Sequence, residues 1–234
     1  MPPQALVILN EVKDLRRSCG EFQVGRTTGK GIILMENWRE SVVAYIRAEA
    51  QPVDKFGHQP RLHALAVRLG QGLEFDDDVL FAAAWMHDLG VFLGHRPQDP
   101  AELARWDHLP YTIARSRELL ADWGFPAHKL DAVAAAILTH QPQSEPESIE
   151  AILLRDADIL EQLGAVGLLR AVAKIGRDTR YSTFSAVLPV LRQAADELPG
   201  RLRTASARAL AGPRVEVVRQ FLHAAEQEAG ELLH

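Results

Sequence analysis

Apolar residues recur along most of this chain at the three- and four-residue spacing of an α-helix, and almost nowhere in the alternation of a half-buried strand. Leu62, Leu65, Ala66 and Leu69 form one such stripe; Leu130, Val133, Ile137 and Leu138 form another. Breaks rich in glycine and proline fall at Gly70 to Gly72, Gly94 to Pro100, Gly124 to Pro126, Gln141 to Pro146, Leu198 to Gly200 and Gly212-Pro213. The pattern predicts an all-α chain, with a helical bundle from Met35 to about Gly176 and a helical C-terminal extension after it. At 234 residues and 47% hydrophobic content, the chain can bury a full core without a disulfide or a structural metal.

The first 34 residues lack this period and carry Gly25, Gly29 and Gly31 among scattered charges. They are predicted to form a poorly structured N-terminal tail, residues 1–34, ahead of one domain over residues 35–234. Met35 opens the periodic region, with Asn37 as a helix N-cap and Glu40 at the third helical position of a capping box. A translation start at Met35 is the corresponding expectation. Gly25-Arg26-Thr27-Thr28-Gly29-Lys30-Gly31 has the wrong glycine spacing for a phosphate loop, and no apolar strand leads into it.

A formal net charge of -5 and a pI near 6.0 exclude a broadly basic nucleic-acid surface, because phosphate neutralisation needs clustered Lys and Arg. A local anion pocket stays open. No apolar run approaches the roughly 20 residues that span a bilayer, and the N-terminus lacks the order of a secretory signal. The single cysteine, Cys19, rules out an internal disulfide framework. Together these features predict a cytoplasmic protein.

Candidate chemistry concentrates where polar residues interrupt apolar helices. Ala82-Ala83-Ala84-Trp85-Met86-His87-Asp88 sets two potential ligands at the end of a strongly apolar helix, although a buried carboxylate requires a counter-charge or a metal. Adjacent helical residues diverge by about 100°. His87 and Asp88 can therefore share an ion only if it sits between neighbouring helices. His58 begins the Leu62 stripe, and His140 continues the Leu130 stripe by one helical step. Asp156 and Asp158 interrupt the apolar segment Ile152 to Leu160, which ordinary helices rarely allow without a partner. Taken singly, each of these residues also has a reading as a cap or a hydrogen-bonded core group. Imidazoles and carboxylates together suit divalent transition metals such as Mn, Fe, Co, Ni or Zn.

The order His58, His87-Asp88 and Asp158 resembles that of the HD-domain superfamily of metal-dependent phosphohydrolases. His58-Gln59-Pro60-Arg61-Leu62 looks like the family's first element, and His87-Asp88 like its name-giving doublet. Asp156-Ala157-Asp158-Ile159-Leu160 is similar to the Asp-Ala-Asp segment of a small bacterial branch associated with nucleotide pyrophosphohydrolase activity. The likeness runs from about Asn37 to Glu228 and implies an HD-domain helical bundle that includes the C-terminal helices.

The resemblance further implies His58, His87, Asp88 and Asp158 as ligands, with Asp88 catalytic. His108 and His140 fall where binuclear members place two more, so one or two ions are both open; His108 also reads as a loop residue beside Trp106. Asp158 maps onto the family's terminal ligand; Asp156 shares the stripe of Ile149, Ile152, Ile159 and Leu163 and so also points inward, which leaves it open as that ligand or as a residue that orients the ligands. Metal-activated water would attack a phosphoester or phosphoanhydride of a nucleotide or other small phosphorylated substrate, with Arg61, Arg96 or Arg155 on the phosphate oxygens. Many relatives carry a lysine shortly after the doublet. Here Leu89-Gly90-Val91-Phe92 follows, and His95-Arg96 is the candidate replacement. The same ligand series resembles mixed-valence di-iron oxygenases typified by myo-inositol oxygenase, and a non-catalytic binding module is the third reading. The last predicted helix, Val215 to Leu233, carries Val217, Phe221, Leu222 and Ala225 on one face, suited to packing on the bundle or to a homodimer contact.

Overall fold

In the computed structural model of the protein, every residue from Val79 to Met86 is buried. A helix apolar on all sides belongs at the centre of a bundle, and α3 (Asp77–Met86) occupies that place. The structure describes residues 37–52, 55–177 and 181–233. The tail expected over residues 1–34 and the start at Met35 lie outside them. No strand occurs among the described residues, and ten α-helices do.

Around α3 pack α1 (Trp38–Glu49), α2 (His58–Leu69), α6 (Leu130–Leu138) and α7 (Ile149–Glu161). Between α3 and α6 the chain passes through a 3-10 turn (Leu89–Val91), the short α4 (Pro100–Leu103) and α5 (His108–Asp122). After α7 come α8 (Gly164–Val172), α9 (Phe184–Glu197) and α10 (Ala205–Ala229), which pack on one another, with α10 also reaching α7. Side-chain caps fix the helix starts by satisfying otherwise unpaired N–H groups. Asp76 accepts from the amides of Asp78 and Val79, Ser148 from that of Ala151, and Asn37 from that of Arg39.

The break expected at Gly212-Pro213 does not occur. α10 runs through Pro213, although the ring removes one backbone donor at a cost of about 3 kcal/mol in a helix interior. Ala207, Ala211, Val215, Val218 and Leu222 keep one buried face in register across the proline, and that burial outweighs the lost bond. The face differs from the expected one: Val217 and Phe221 stand about two-fifths exposed, at 40% and 39%. No helix among the described residues is long and apolar enough to cross a membrane.

Candidate metal centre

The end of α3 builds the centre. His87 caps this helix, and its Nδ1 donates to the Ala84 carbonyl at 3.0 Å. A carbonyl can only accept, so Nδ1 carries the proton and Nε2 presents a lone pair. His140 repeats the device just past α6, with Nδ1 donating to the Ile137 carbonyl at 2.7 Å. His58, the first residue of α2, turns its Nδ1 to Glu161 Oε2 at 3.3 Å. In all three imidazoles the outer nitrogen is engaged and Nε2 is left to face inward.

Those inward atoms converge. The Nε2 atoms of His58 and His87 lie 3.3 Å apart. Asp88 Oδ2 is 3.8 Å from the first and 3.5 Å from the second, and Asp158 Oδ1 is 3.4 Å from His58 Nε2. Within the group His58, His87 and Asp88, one ligand atom from each residue lies within 4.8 Å of the others; Asp88, His108 and His140 form a second such group. Asp88 is common to both.

The electrostatics of the cluster favour positive charge. Burial opposes ionisation of Asp88 and Asp158, yet His87, His58 and His140 hold the Asp88 carboxyl well below its usual range. The bond from His58 does the same for Asp158. Burial also opposes a charge on His58, but Asp158 and Glu161 outweigh it and raise its pKa. His87 lacks such carboxylate bonds, and burial pushes it down to about 4. Neutral imidazole lone pairs and ionised carboxylates aimed at one point are the donor set of a divalent transition metal. The residues present fit that group.

His108 reaches the centre because of Gly90. A Cβ at Gly90 would lie 2.8 Å from Thr112 Oγ1 and 2.9 Å from the His108 carbonyl, so only glycine lets the 3-10 turn after the doublet press against the start of α5. The Gly90 amide donates to Thr112 Oγ1 at 3.0 Å, and its carbonyl accepts from Trp106 Nε1 at 2.9 Å.

A cavity of about 520 Å³ opens beside the cluster. Asp88, His108, Asp158 and Glu161 line one part of it, and Lys55, Arg96, Arg170 and Lys174 add four cations. Trp106, Tyr181, Val190 and Leu191 form a more apolar wall. Among the described residues no carboxylate pairs with the Arg96 guanidinium.

Several expected roles take a different form. Asp156 is turned away from the ligands: it accepts from the Arg203 amide at 3.0 Å and from the Thr204 amide and hydroxyl at 2.7 and 2.8 Å. It ties α7 to the start of α10 and orients no ligand. Arg155, expected on phosphate, is 1% exposed and spends its guanidinium on the carbonyls of Arg201 and Pro142, at 2.9 and 2.6 Å. His95 is held between Tyr111 and Glu49, at 2.8 and 3.0 Å. Arg61 donates through Nε and Nη2 to Glu161 Oε2, at 3.2 and 3.0 Å, while lining a side groove with His58 and Asp88.

The orienting role falls to Glu161, which sequence reasoning missed. It is buried, bonds His58, and lies three residues after Asp158; Gln162, four after, donates to Asp158 Oδ2 at 3.2 Å. Residues three and four apart share a helix face, and that spacing was the available signal. Lys55, Arg170 and Lys174 were missed as well.

No curated protein matches the chain. Among solved structures, Bacillus subtilis YpgQ is similar, at 21% identity and a TM-score of 0.64 over 86% of this chain and 100% of that one. A YpgQ structure in complex with ADP gives 22% and 0.61 over 85% and 98%. An HD-superfamily hydrolase from Bacillus thuringiensis gives 19% and 0.60 over 83% and 97%. At these identities the likeness is one of fold. The HD domain family model matches residues 56–163, the span that carries every candidate ligand described above, and over that span the chain carries an HD domain.

Proposed function

We propose that this protein is a metal-dependent phosphohydrolase that cleaves a phosphoester or phosphoanhydride bond in a nucleotide or another small phosphorylated metabolite. One observation carries the reading: Asp88 and Asp158 of the cluster, with His108, line the same cavity as Lys55, Arg96, Arg170 and Lys174. Phosphate oxygens need such cations as charge-assisted donors, and the apolar wall around Trp106 suits the organic part of the substrate. The similar YpgQ structure with ADP agrees with a nucleotide of this size.

His58, His87, Asp88 and Asp158 would hold one divalent ion, and Asp88, His108 and His140 a second; a metal bound there would supply an acidified water and neutralise phosphoryl charge. The chain's own contribution is orientation. Glu161 fixes the tautomer of His58, and the Ala84 and Ile137 carbonyls fix those of His87 and His140. Arg96 binds the phosphate, whereas Arg61 stays on the Glu161 carboxylate and Arg170 donates to the Glu161 carbonyl beside it. Asp88 is the catalytic carboxylate because it belongs to both ligand groups.

That shared carboxylate also favours a second reading, a di-iron oxygenase. Metal analysis of protein purified without added metal, joined to a screen of nucleotides and sugar phosphates, separates the two. Phosphate or pyrophosphate release with manganese or nickel is the expected result. Two bound irons, a mixed-valence paramagnetic signal and oxygen consumption without phosphate release would replace it with the oxygenase. No turnover of either kind, with activity in the cell unchanged by His87→Ala, would leave a binding module.

A further inference from the structure

His95 is an imidazole outside the metal cluster, its side chain only 7% exposed and both ring nitrogens engaged. Nδ1 lies 2.8 Å from the Tyr111 hydroxyl, and Nε2 lies 3.0 Å from Glu49 Oε2. The carboxylate can only accept, so Nε2 carries the proton and Nδ1 accepts from the hydroxyl. The three residues come from separate elements: Glu49 ends α1, His95 lies in the turn after the HD doublet, and Tyr111 is in the first turn of α5. Tyr45 meets the His95 ring edge-on at 6.2 Å, and Phe92 does so at 6.3 Å.

Two neighbours of this clamp line the cavity. Arg96 follows His95 directly, and its amide, like that of His95, bonds the Phe92 carbonyl, at 3.2 and 3.1 Å. The Tyr111 ring packs at 5.9 Å on Trp106. The turn is also pinned to the end of α1 by the Leu93 amide, which donates to the Gln51 carbonyl at 3.0 Å. We infer that His95 is a positioning residue, which by bonding Glu49 and Tyr111 at once holds Arg96 and Trp106 at the cavity wall and so sets phosphate affinity. The inference rests on the phosphate-binding reading of the cavity and assigns His95 no contact with the metal.

His95→Phe keeps the bulk and breaks both bonds, while His95→Gln offers an amide N–H to Glu49 and a carbonyl to Tyr111. Inorganic pyrophosphate titrated into the manganese-loaded protein should bind about 10-fold more weakly to His95→Phe and recover in His95→Gln, with manganese content unchanged in both. Hydrogen exchange at the Leu93 and Arg96 amides should accelerate in His95→Phe alone. Wild-type pyrophosphate affinity in His95→Phe, or unchanged exchange at those amides, overturns the inference. If the wild type binds no pyrophosphate, the phosphate reading of the cavity fails, and the exchange rates still decide the clamp. Should His95→Phe not fold, Tyr111→Phe removes one hydroxyl and carries the same two measurements.

Discussion

His58 Nδ1 meets Glu161 Oε2 at 3.3 Å, and the same oxygen accepts both donors of Arg61. One carboxylate therefore orients a candidate ligand and anchors an arginine beside the side groove. Outer partners of metal-bound histidines are worth about 10- to 100-fold in metal affinity. Glu161→Leu should weaken manganese binding within that range in a competitive chelator titration, and Glu161→Gln, which still accepts from His58, should lose less. Equal affinity in all three proteins would remove Glu161 from this role.

Asp156 and Asp158 sit two residues apart on α7 and do separate work. Asp158→Asn should abolish tight metal binding with little change in thermal stability of the metal-free protein. Asp156→Asn should keep the metal and lose about 1 to 3 kcal/mol, since it strips a charged acceptor from the start of α10. Metal content by mass spectrometry and thermal unfolding of the same two variants check both halves. Reversed outcomes would exchange the two roles.

Gly90 permits the close approach that brings His108 to Asp88. A Cβ there meets the His108 backbone carbonyl at 2.9 Å, and the backbone must shift to relieve it. Gly90→Ala is expected to cost about 1 to 3 kcal/mol, as overpacking does, and to lower metal stoichiometry by emptying the position formed by Asp88, His108 and His140. Unchanged stoichiometry in a folded Gly90→Ala protein would contradict this.

At the far end of α3, hydrogen bonds from Lys129 and Arg39 hold the Asp78 carboxyl below its ordinary value of 3.8. A carboxyl lowered by folding contributes stability that is fully present above its unfolded pKa, and this is lost as pH falls through the folded one. The stability gap between the wild type and Asp78→Asn should thus be largest near neutral pH and shrink below about pH 4. Denaturant unfolding across that range measures it. A gap that widens on acidification would reverse the sign.

The sequence was most readable where a residue's chemistry clashed with its surroundings. His87 and Asp88 stand out because the run just before them, Val79 to Met86, is apolar throughout, and the structure buries that whole run. The pair Asp156 and Asp158 was less readable for a physical reason. Helical phase turns both inward, and the choice between them depends on what arrives from elsewhere: the Arg203 and Thr204 amides, 47 and 48 residues on, claim Asp156. Arg155 misled for the same cause, because its carbonyl acceptors come from outside α7: Pro142, 13 residues before it, and Arg201, 46 residues after it. Pro213 misled because local propensity spoke for a break while the buried face of α10 continued through it.

The capping of α3 by His87 and the matching bond from His140 to Ile137 have a consequence for how the centre can be damaged. Both acceptors are main-chain oxygens, which every amino acid supplies. Exchanging the side chain at Ala84 or Ile137 leaves the acceptor in place. Inserting or deleting one residue near either helix end instead swings the imidazole by about 100°. The ligand geometry is thus written in the lengths of these two helices more than in the identity of their residues.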